Sequence, residues 1–237
     1  MPAKGIQRKL NTEALKGIPL FSTLTDEELE RIAEKITIGT FKRNEVIFHE
    51  EDTNEYMYII LSGKVKVVQT SEEGKEIILA LHKPKDFFGE MSLIDGKTAP
   101  ATVAALENSI IAIIAKRDFR SLLAMQNKVL ANLLQIFCAR LRNSYSRIQI
   151  LSFSNASQRI KTLLVMLSNM YGKKADEGVT IDMKLTHQNI ADMTGITRET
   201  VTRILNRWQK EGEISVLRNK YIQLNPEFLK PEFSLKE

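Results

Sequence analysis

The stretch from Leu185 to Glu211 constrains the chain most, because its residues predict two short helices joined by a tight turn. Thr186 is placed to cap the first helix, since its side-chain oxygen can accept a backbone N–H there. Gly195 follows, and glycine readily adopts the left-handed backbone that ends a helix. The second helix follows the N-cap Thr197 and has apolar residues at helical spacing, namely Val201, Ile204, Leu205 and Trp208. The pattern predicts a helix-turn-helix.

The second helix also carries side chains that can read base pairs. Arginine can bond to two guanine acceptors at once, and glutamate can accept from the cytosine amino group. Glu199 and Arg203 are four residues apart and so project from one helix face, with Arg198 beside them. A solvated face with a Glu–Arg ion pair is the alternative, which the caps and the glycine turn disfavour. Further predicted DNA contacts are the neighbouring polar residues Thr186, His187, Thr197, Thr200, Thr202, Arg207 and Lys220.

Charge is divided unevenly between the two halves of the sequence. Residues 1–115 contain 14 basic and 18 acidic side chains, whereas residues 116–237 contain 20 basic and 11 acidic side chains. A basic second half indicates a polyanionic partner. The helix-turn-helix makes double-stranded DNA a better candidate for that partner than an acidic membrane.

The segment from residue 37 to residue 115 predicts a small β-barrel or sandwich. Short apolar runs alternate with turns such as Ser62-Gly63 and Asp95-Gly96, a spacing typical of antiparallel β-structure. Before it, Thr25 to Glu28 form a capping box that predicts a helix to about residue 35, and residues 1–18 are expected to be loosely ordered. The predicted strands are 46–48, 56–61, 65–68, 76–81, 101–105 and 110–115.

A single long helix is predicted from about Arg117 to Phe153, because this stretch contains no proline or glycine. With Asn127 and Ser144, its apolar residues follow the alternating spacing of a coiled-coil stripe. An amphipathic helix packed on its own barrel is the alternative, but four heptads favour pairing with a second copy. The residues expected at this dimer interface are Leu123, Leu130, Leu134, Phe137, Leu141, Ile148 and Leu151.

The predicted fold class is α+β, in three parts. Residues 1–115 form an effector-sensing β-roll of the jelly-roll type, residues 116–153 the dimerisation helix, and residues 154–237 a winged helix-turn-helix. A polar break at 152–157 is the expected hinge. The wing is a predicted hairpin of strands 213–216 and 221–224, joined by basic residues suited to phosphate contact.

This order of parts resembles the cAMP receptor protein/FNR (Crp/Fnr) family of bacterial transcription regulators over nearly the whole chain. The most specific match is RETVTR at 198–203, after LTHQNIADMTGIT. The resemblance implies that Arg198, Glu199 and Arg203 read a TGTGA-like half-site of a palindrome. A second match, FFGEMSL at 87–93 followed by Ala101-Thr102-Val103, looks like the phosphate-binding cassette of a cyclic-nucleotide-binding barrel.

The chain departs from the family pattern where cAMP would bind. Cyclic-AMP-binding members have an arginine and a serine before the Ala-x-Val stretch, and these positions are Ala99 and Pro100 here. Losing a charge-assisted contact costs about 2 to 5 kcal/mol, hence roughly 30-fold to several thousand-fold in affinity. Glu90 could accept from a ribose-type hydroxyl or could cap loop amides. The implied pocket residues are Gly89, Glu90, Met91, Ser92, Ala99, Pro100, Ala101, Thr102, Ser144 and Tyr145.

Other cofactors fit less well. The single cysteine, Cys138, argues against the iron–sulfur cluster of the FNR branch. Haem-sensing relatives use an N-terminal proline and a histidine, and although Pro2 is present, no histidine follows Phe87 in the cassette. Cys138 lies just off the dimer stripe and is expected to be a buried small hydrophobe, with redox pairing across a dimer left open. No metal site and no enzymatic motif is present in the sequence.

The sequence therefore predicts a homodimeric regulator that binds a palindromic operator, responds to an effector other than cAMP and contacts RNA polymerase. A cytoplasmic location is expected, because no apolar signal core or membrane-length apolar run occurs. Alternatives are a constitutive regulator with a degenerate, ligand-free pocket, a haem- or redox-sensing member, and a small-molecule-binding protein that does not act on DNA. The effector, the target genes and the direction of regulation stay open.

Overall fold

The structure is a computed structural model that describes residues 11–125, 127–153, 155–217 and 220–229. It divides into two compact units, Met1–Leu141 and Arg142–Glu237. The helices are α1 (Thr12–Lys16), α2 (Asp26–Ala33), α3 (Glu90–Asp95), α4 (Lys116–Met125), α5 (Asn127–Ser152), α6 (Ala156–Tyr171), α7 (His187–Thr194) and α8 (Arg198–Lys210), with a 3-10 turn at Pro19–Phe21.

The first unit is built on two antiparallel four-stranded sheets, with strand orders β1-β8-β3-β6 and β2-β7-β4-β5. In sequence, α1 and α2 precede this β-roll, α3 lies between β6 and β7, and α4 follows it. The strands are β1 (Ile36–Phe41), β2 (Val46–Phe48), β3 (Tyr56–Ser62), β4 (Val65–Thr70), β5 (Glu76–His82), β6 (Phe87–Phe88), β7 (Thr102–Ala105) and β8 (Ser109–Ala115).

Strand β3 is buried on both faces, and alternate side chains of a strand point to opposite sides. Tyr58 and Ile60 pack between the two sheets with residues of β4, β7 and β8. Met57 and Ile59 pack on the other side, in a cluster that also contains buried residues of α1, α2, α4 and α5. One strand thus contributes to both apolar cores of the unit.

The second unit contains α6, α7 and α8 together with a small antiparallel sheet of strand order β11-β12-β10-β9. Helix α8 buries Val201, Leu205 and Trp208, and the Trp208 ring meets Phe228 edge-on with 5.1 Å between centroids. The strands are β9 (Gly172–Lys174), β10 (Val179–Ile181), β11 (Ile214–Val216) and β12 (Ile222–Leu224). The predicted helix-turn-helix and the two strands of the wing are both present.

The single long helix of the sequence prediction is wrong, because α4 and α5 are separate helices. Phe119 of α4 is fully buried in the core beneath the β-roll, and Leu123 packs against the same cluster. Helix α4 therefore packs on the β-roll core as a separate helix, and Leu123 does not belong to the apolar stripe on α5. The local sequence does not predict two helices here, because it contains neither proline nor glycine between α4 and α5.

Smaller predictions also need correction. Strands β1, β6 and β9 were not expected, and helix α1 forms where loose order was predicted, with Asn11 as its N-cap. The predictions for residues 1–10 lie outside the described residues. No single helix of the described ranges is long and apolar enough to span a bilayer, although α4 and α5 taken together pass that test of length and composition.

Candidate nucleic-acid interface and effector pocket

Side-chain caps fix the ends of α7 and α8. Thr186 and Asn189 form a reciprocal capping box at the start of α7, and the Thr197 oxygen accepts the Thr200 N–H at the start of α8. Between the helices, Gly195 has φ +67°, the left-handed conformation that glycine adopts without steric cost. The turn and both caps agree with the sequence prediction.

The exposed face of α8 carries the predicted base-reading side chains. Arg198, Glu199 and Arg203 are all exposed, whereas the apolar residues of the helix are buried. Glu199 and Arg203 form no ion pair with each other, and none of the three pairs with another charge in the described part of the chain. The Glu199–Arg203 ion pair of the alternative interpretation does not form. The guanidinium and carboxylate groups therefore remain available to an outside partner.

The threonine hydroxyls predicted to contact DNA form hydrogen bonds within their own helices and caps. The Thr202 hydroxyl donates to the Arg198 carbonyl at 2.9 Å, and Thr197 and Thr200 share a hydrogen bond of 2.9 Å between their hydroxyls. The Thr186 hydroxyl is bonded to Asn189. These hydroxyls already have partners, so their roles at DNA remain predictions.

Arg207 and Lys220 occupy different surroundings. The Arg207 guanidinium donates to the Ser157 hydroxyl at 3.2 Å and approaches Glu211 at 3.8 Å, towards the C-terminal part of α8 and away from the predicted base-reading residues. Lys220 is exposed with φ +63°, and its carbonyl accepts the Leu185 N–H at 3.3 Å, which ties the wing to the segment before α7. The remaining residues at the tip, 218 and 219, lie outside the described residues.

His187 links the two helices, a contact that sequence reasoning missed. Its ring Nδ1 lies 2.8 Å from the Thr202 hydroxyl, one helix away. Burial lowers the pKa of His187, and the positive charges of Arg198 and Lys220 lower it further. The neutral imidazole is therefore favoured in the chain without a ligand.

In the first unit, a glycine and a buried carboxylate lie where the phosphate cassette was predicted. Gly89 has φ +82° and precedes α3, and the Asn54 amide donates to its carbonyl at 2.8 Å. A Cβ on Gly89 would lie 2.9 Å from the Tyr56 carbonyl oxygen, so no larger residue fits without a shift. Glu90, the first residue of α3, is only 2% exposed.

Arg140 of α5 is the partner of this buried carboxylate. Its Nη1 lies 2.8 Å from Glu90 Oε1, its Nη2 donates to the Phe87 carbonyl, and its guanidinium lies 4.4 Å from the centre of the Phe87 ring. The suggestion that Glu90 caps loop amides is therefore wrong. Fifty residues separate the pair, and a glutamate inside an otherwise apolar segment was the available signal.

The positions that replace the family's arginine and serine carry no positive charge. Ala99 is buried and exchanges backbone hydrogen bonds with Glu51 and Asp52, at 2.8 and 2.9 Å. Pro100 is exposed, and its carbonyl accepts from the Gln69 amide at 3.0 Å. Of the other predicted pocket residues, Ser92 and Ala101 are buried, Thr102 is half-buried and accepts the Glu50 N–H, and Met91 is exposed.

The remaining predicted residues lie along α5. Ser144 and Tyr145 fall in the second unit and are exposed, so their contact with an effector remains a prediction. Phe137 is half-buried against the core of the first unit. The other apolar residues predicted for the interface are exposed to between 41% and 62%, namely Leu130, Leu134, Leu141, Ile148 and Leu151.

Cys138 is exposed, so the expectation of a buried hydrophobe is wrong for the single chain. Within the described ranges, no group of three or more histidine, cysteine, aspartate or glutamate side chains is placed to hold a metal ion.

A β-roll of two antiparallel sheets followed by a winged helix-turn-helix defines a class of DNA-binding regulators. Family models match both parts: the cyclic nucleotide-binding domain over residues 38–126 and the Crp-like helix-turn-helix domain over residues 158–231. The chain belongs to the Crp/Fnr family and is a DNA-binding transcription regulator rather than an enzyme.

Curated relatives cover most of the chain. The Cyclic AMP receptor protein of Thermus thermophilus is 30% identical over 200 residues, 84% of this chain and 89% of that protein. The Global nitrogen regulator of Synechococcus elongatus is 30% identical over 201 residues, 84% of this chain and 90% of that protein. Their two names show that relatives at equal identity carry different descriptions.

Solved structures share the fold. FixK2 from Bradyrhizobium japonicum has a TM-score of 0.72 at 22% identity, covering 82% of this chain and 95% of that chain. A CooA mutant from Carboxydothermus hydrogenoformans has a TM-score of 0.73 at 22% identity, covering 92% of this chain and 93% of that chain.

Proposed function

We propose that the chain acts as a homodimer that reads a palindrome of TGTGA-like half-sites and responds to an effector other than cAMP. The observation that carries the DNA-reading part is the exposed face of α8. Arg198, Glu199 and Arg203 project there without ion-pair partners among the described residues. Arginine and glutamate on one face suit neighbouring G·C pairs in the major groove.

Selection from a random duplex pool tests this reading. The recovered sites should share an inverted repeat with half-site centres one helical turn apart, about 34 Å. Recovered sequences without inverted symmetry would contradict a symmetric dimer. Binding should also weaken steeply as salt rises, because lysine and arginine displace phosphate counterions.

The dimer is supported by the exposed apolar stripe of α5. Large side chains such as Leu134 and Ile148 are 57% and 62% exposed in the single chain, and exposing such a stripe to water is unfavourable. Heptad spacing suits burial against a second copy. Sedimentation equilibrium should give twice the chain mass of 27.0 kDa, and Leu134→Glu with Ile148→Glu should shift it towards the monomer.

The effector proposal depends on the pair of Arg140 and Glu90. Arg140 supplies a positive charge at the cassette, and its Nη1 already pairs with Glu90 Oε1 at 2.8 Å. An anionic effector must compete with this carboxylate, while Ala99 and Pro100 offer no replacement for the family's phosphate contact. Cyclic AMP should therefore bind weakly, and calorimetric binding at micromolar concentration or tighter would overturn this. Native mass spectrometry of the fresh dimer should show any retained small molecule.

An effector would act by shifting the dimer between two arrangements, with the break at 152–157 reorienting the α8 helices. A constitutive regulator is the second candidate, and the internal Arg140–Glu90 pair favours it, since the Arg140 charge is already paired without a ligand. DNA affinity that is unchanged by cell extract would support the constitutive form. Contact with RNA polymerase and a cytoplasmic location, where DNA is available, complete the proposal.

A further inference from the structure

The hydrogen bonds around His187 fix which ring nitrogen carries its proton. The Thr202 hydroxyl has a single hydrogen, which it donates to the Arg198 carbonyl at 2.9 Å, because a carbonyl can only accept. The Thr202 oxygen must then accept in its 2.8 Å contact with His187 Nδ1. Nδ1 is therefore the protonated nitrogen, and in the neutral ring Nε2 carries a lone pair.

The surroundings of His187 attract an anion without stabilising a positively charged ring. Arg198 of α8 and Lys220 of the wing lie close enough for their positive charges to lower the His187 pKa, after the larger effect of burial. Within α7 itself, the Asp192 carboxylate accepts from the Gln188 amide at 2.7 Å.

Helix α6, which also packs on α7, carries Arg159 and Lys161, but neither is among the charges that lower the His187 pKa. Arg159 donates to the Phe153 and Thr194 carbonyls, and Lys161 lies over the Phe228 ring at 5.4 Å. In the described part of the chain, no acidic group bonds the His187 ring. The charges that act on the ring, Arg198 and Lys220, are thus both positive, and a negative partner must come from outside.

We propose that a backbone phosphate of bound DNA lies against His187 Nε2 and that binding takes up one proton there per subunit. His187 is the first residue of α7, where free N–H groups and the helix dipole favour an anion. A phosphate oxygen facing the Nε2 lone pair is repelled. Once Nε2 is protonated, the same contact becomes a charge-assisted hydrogen bond. This inference rests on the proposed DNA-binding function.

The direction of the pH dependence follows from linkage. The phosphate raises the His187 pKa in the complex above its lowered value in the free chain, so the complex holds more protons. DNA affinity must then rise as pH falls between the two values, by up to about tenfold per pH unit for each subunit. A fixed positive charge would show no such slope.

The test uses the full-length dimer and a duplex recovered by the selection described above. Fluorescence anisotropy gives the affinity between about pH 5.5 and pH 8.5, the range in which histidine titrates, at constant ionic strength and in buffers without phosphate. Calorimetry in two buffers of different ionisation enthalpy counts the protons taken up. The variants are His187→Gln, which stays neutral, and His187→Arg, which stays charged.

His49→Gln is the matched control, because His49 is exposed on the first unit and bonds Asp52 through its backbone N–H and carbonyl, not through its ring. We expect a rise of about tenfold or more from pH 8 to pH 6 for the parent and for His49→Gln, and a flat profile for both His187 variants. A slope retained by His187→Gln, or no proton uptake by the parent, overturns the inference. Loss of preference for the selected duplex over random DNA at every pH would instead overturn the proposed function.

Discussion

The charged residues on the exposed face of α8 and those of the predicted phosphate cassette differ in burial and in pairing. On α8, Arg198, Glu199 and Arg203 are exposed and have no ion-pair partner among the described residues. In the predicted phosphate cassette, Glu90 is buried and paired with Arg140. Charges held free at the surface suit an outside partner, whereas a buried pair contributes first to holding its own unit together. Substitutions in the cassette should therefore change stability, and substitutions on α8 should change DNA affinity.

The largest effect is expected from Gly89→Ala. The residue has φ +82°, and the new Cβ would lie 2.8 Å from the Asn54 amide nitrogen and 2.9 Å from the Tyr56 carbonyl oxygen. Left-handed strain and crowding together should cost about 3 to 5 kcal/mol of unfolding free energy. Urea unfolding followed by circular dichroism should show the loss, while the fluorescence of Trp208, the single tryptophan, reports on the second unit alone.

Gly195→Ala is the control for that experiment. Its φ is +67°, but the nearest atom to an added Cβ is 3.9 Å away, so only the backbone strain remains. We expect a loss of about 1 kcal/mol. Equal losses for the two variants would show that crowding at Gly89 is unimportant.

Next in size is Arg140→Ala, which leaves the Glu90 carboxylate buried without its cation. Removing one partner of a buried pair is strongly destabilising, and because the Arg140 side chain is 29% exposed we expect about 2 to 4 kcal/mol. Thermal unfolding measures the loss. Adding Glu90→Gln should restore more than half of it, and failure of this rescue would mean that Arg140 acts through its contact with Phe87.

On the DNA side, Arg203→Ala should cost about 1 to 3 kcal/mol on the selected duplex and relax the preference at one base pair. Its unfolding temperature should match the parent, because Arg203 is exposed and forms no ion pair with any described residue. Competition binding against single-base variants of the site measures the preference. An equal loss on specific and random DNA would remove Arg203 from base reading.

The smallest effect is expected from Lys220→Asn, a neutral residue that tolerates the φ of +63°. Affinity should fall about equally on specific and random duplexes, and the slope of log affinity against log salt should fall by about 1 per subunit. Stability should not change. A sequence-dependent loss would show that the wing contributes to base reading.

The sequence was sufficient for features whose causes are local. The caps Thr25, Thr186 and Thr197 and the turn at Gly195 each depend on residues within four positions, and all form as predicted. The exposure of Arg198, Glu199 and Arg203 followed from helical spacing, whereas their role in base reading is implied by resemblance to the family and stays a prediction.

Features that arise from distant packing were missed. The separation of α4 from α5 depends on Phe119 entering a core that is assembled from strands and helices far along the chain. The Arg140–Glu90 pair joins residues 50 positions apart, a separation over which local spacing carries no information. His187 was included among polar DNA contacts, but its bond to Thr202 requires the angle between α7 and α8, which spacing does not give.

Strand β3 supplies side chains to both apolar layers of the sensor unit, with Tyr58 and Ile60 on one face and Met57 and Ile59 on the other. Its amides should therefore exchange hydrogen for deuterium only through complete unfolding of that unit. The strand therefore couples its two faces mechanically. A ligand that displaces Tyr58 by a fraction of an ångström must also shift Met57 and Ile59, which pack against the helices.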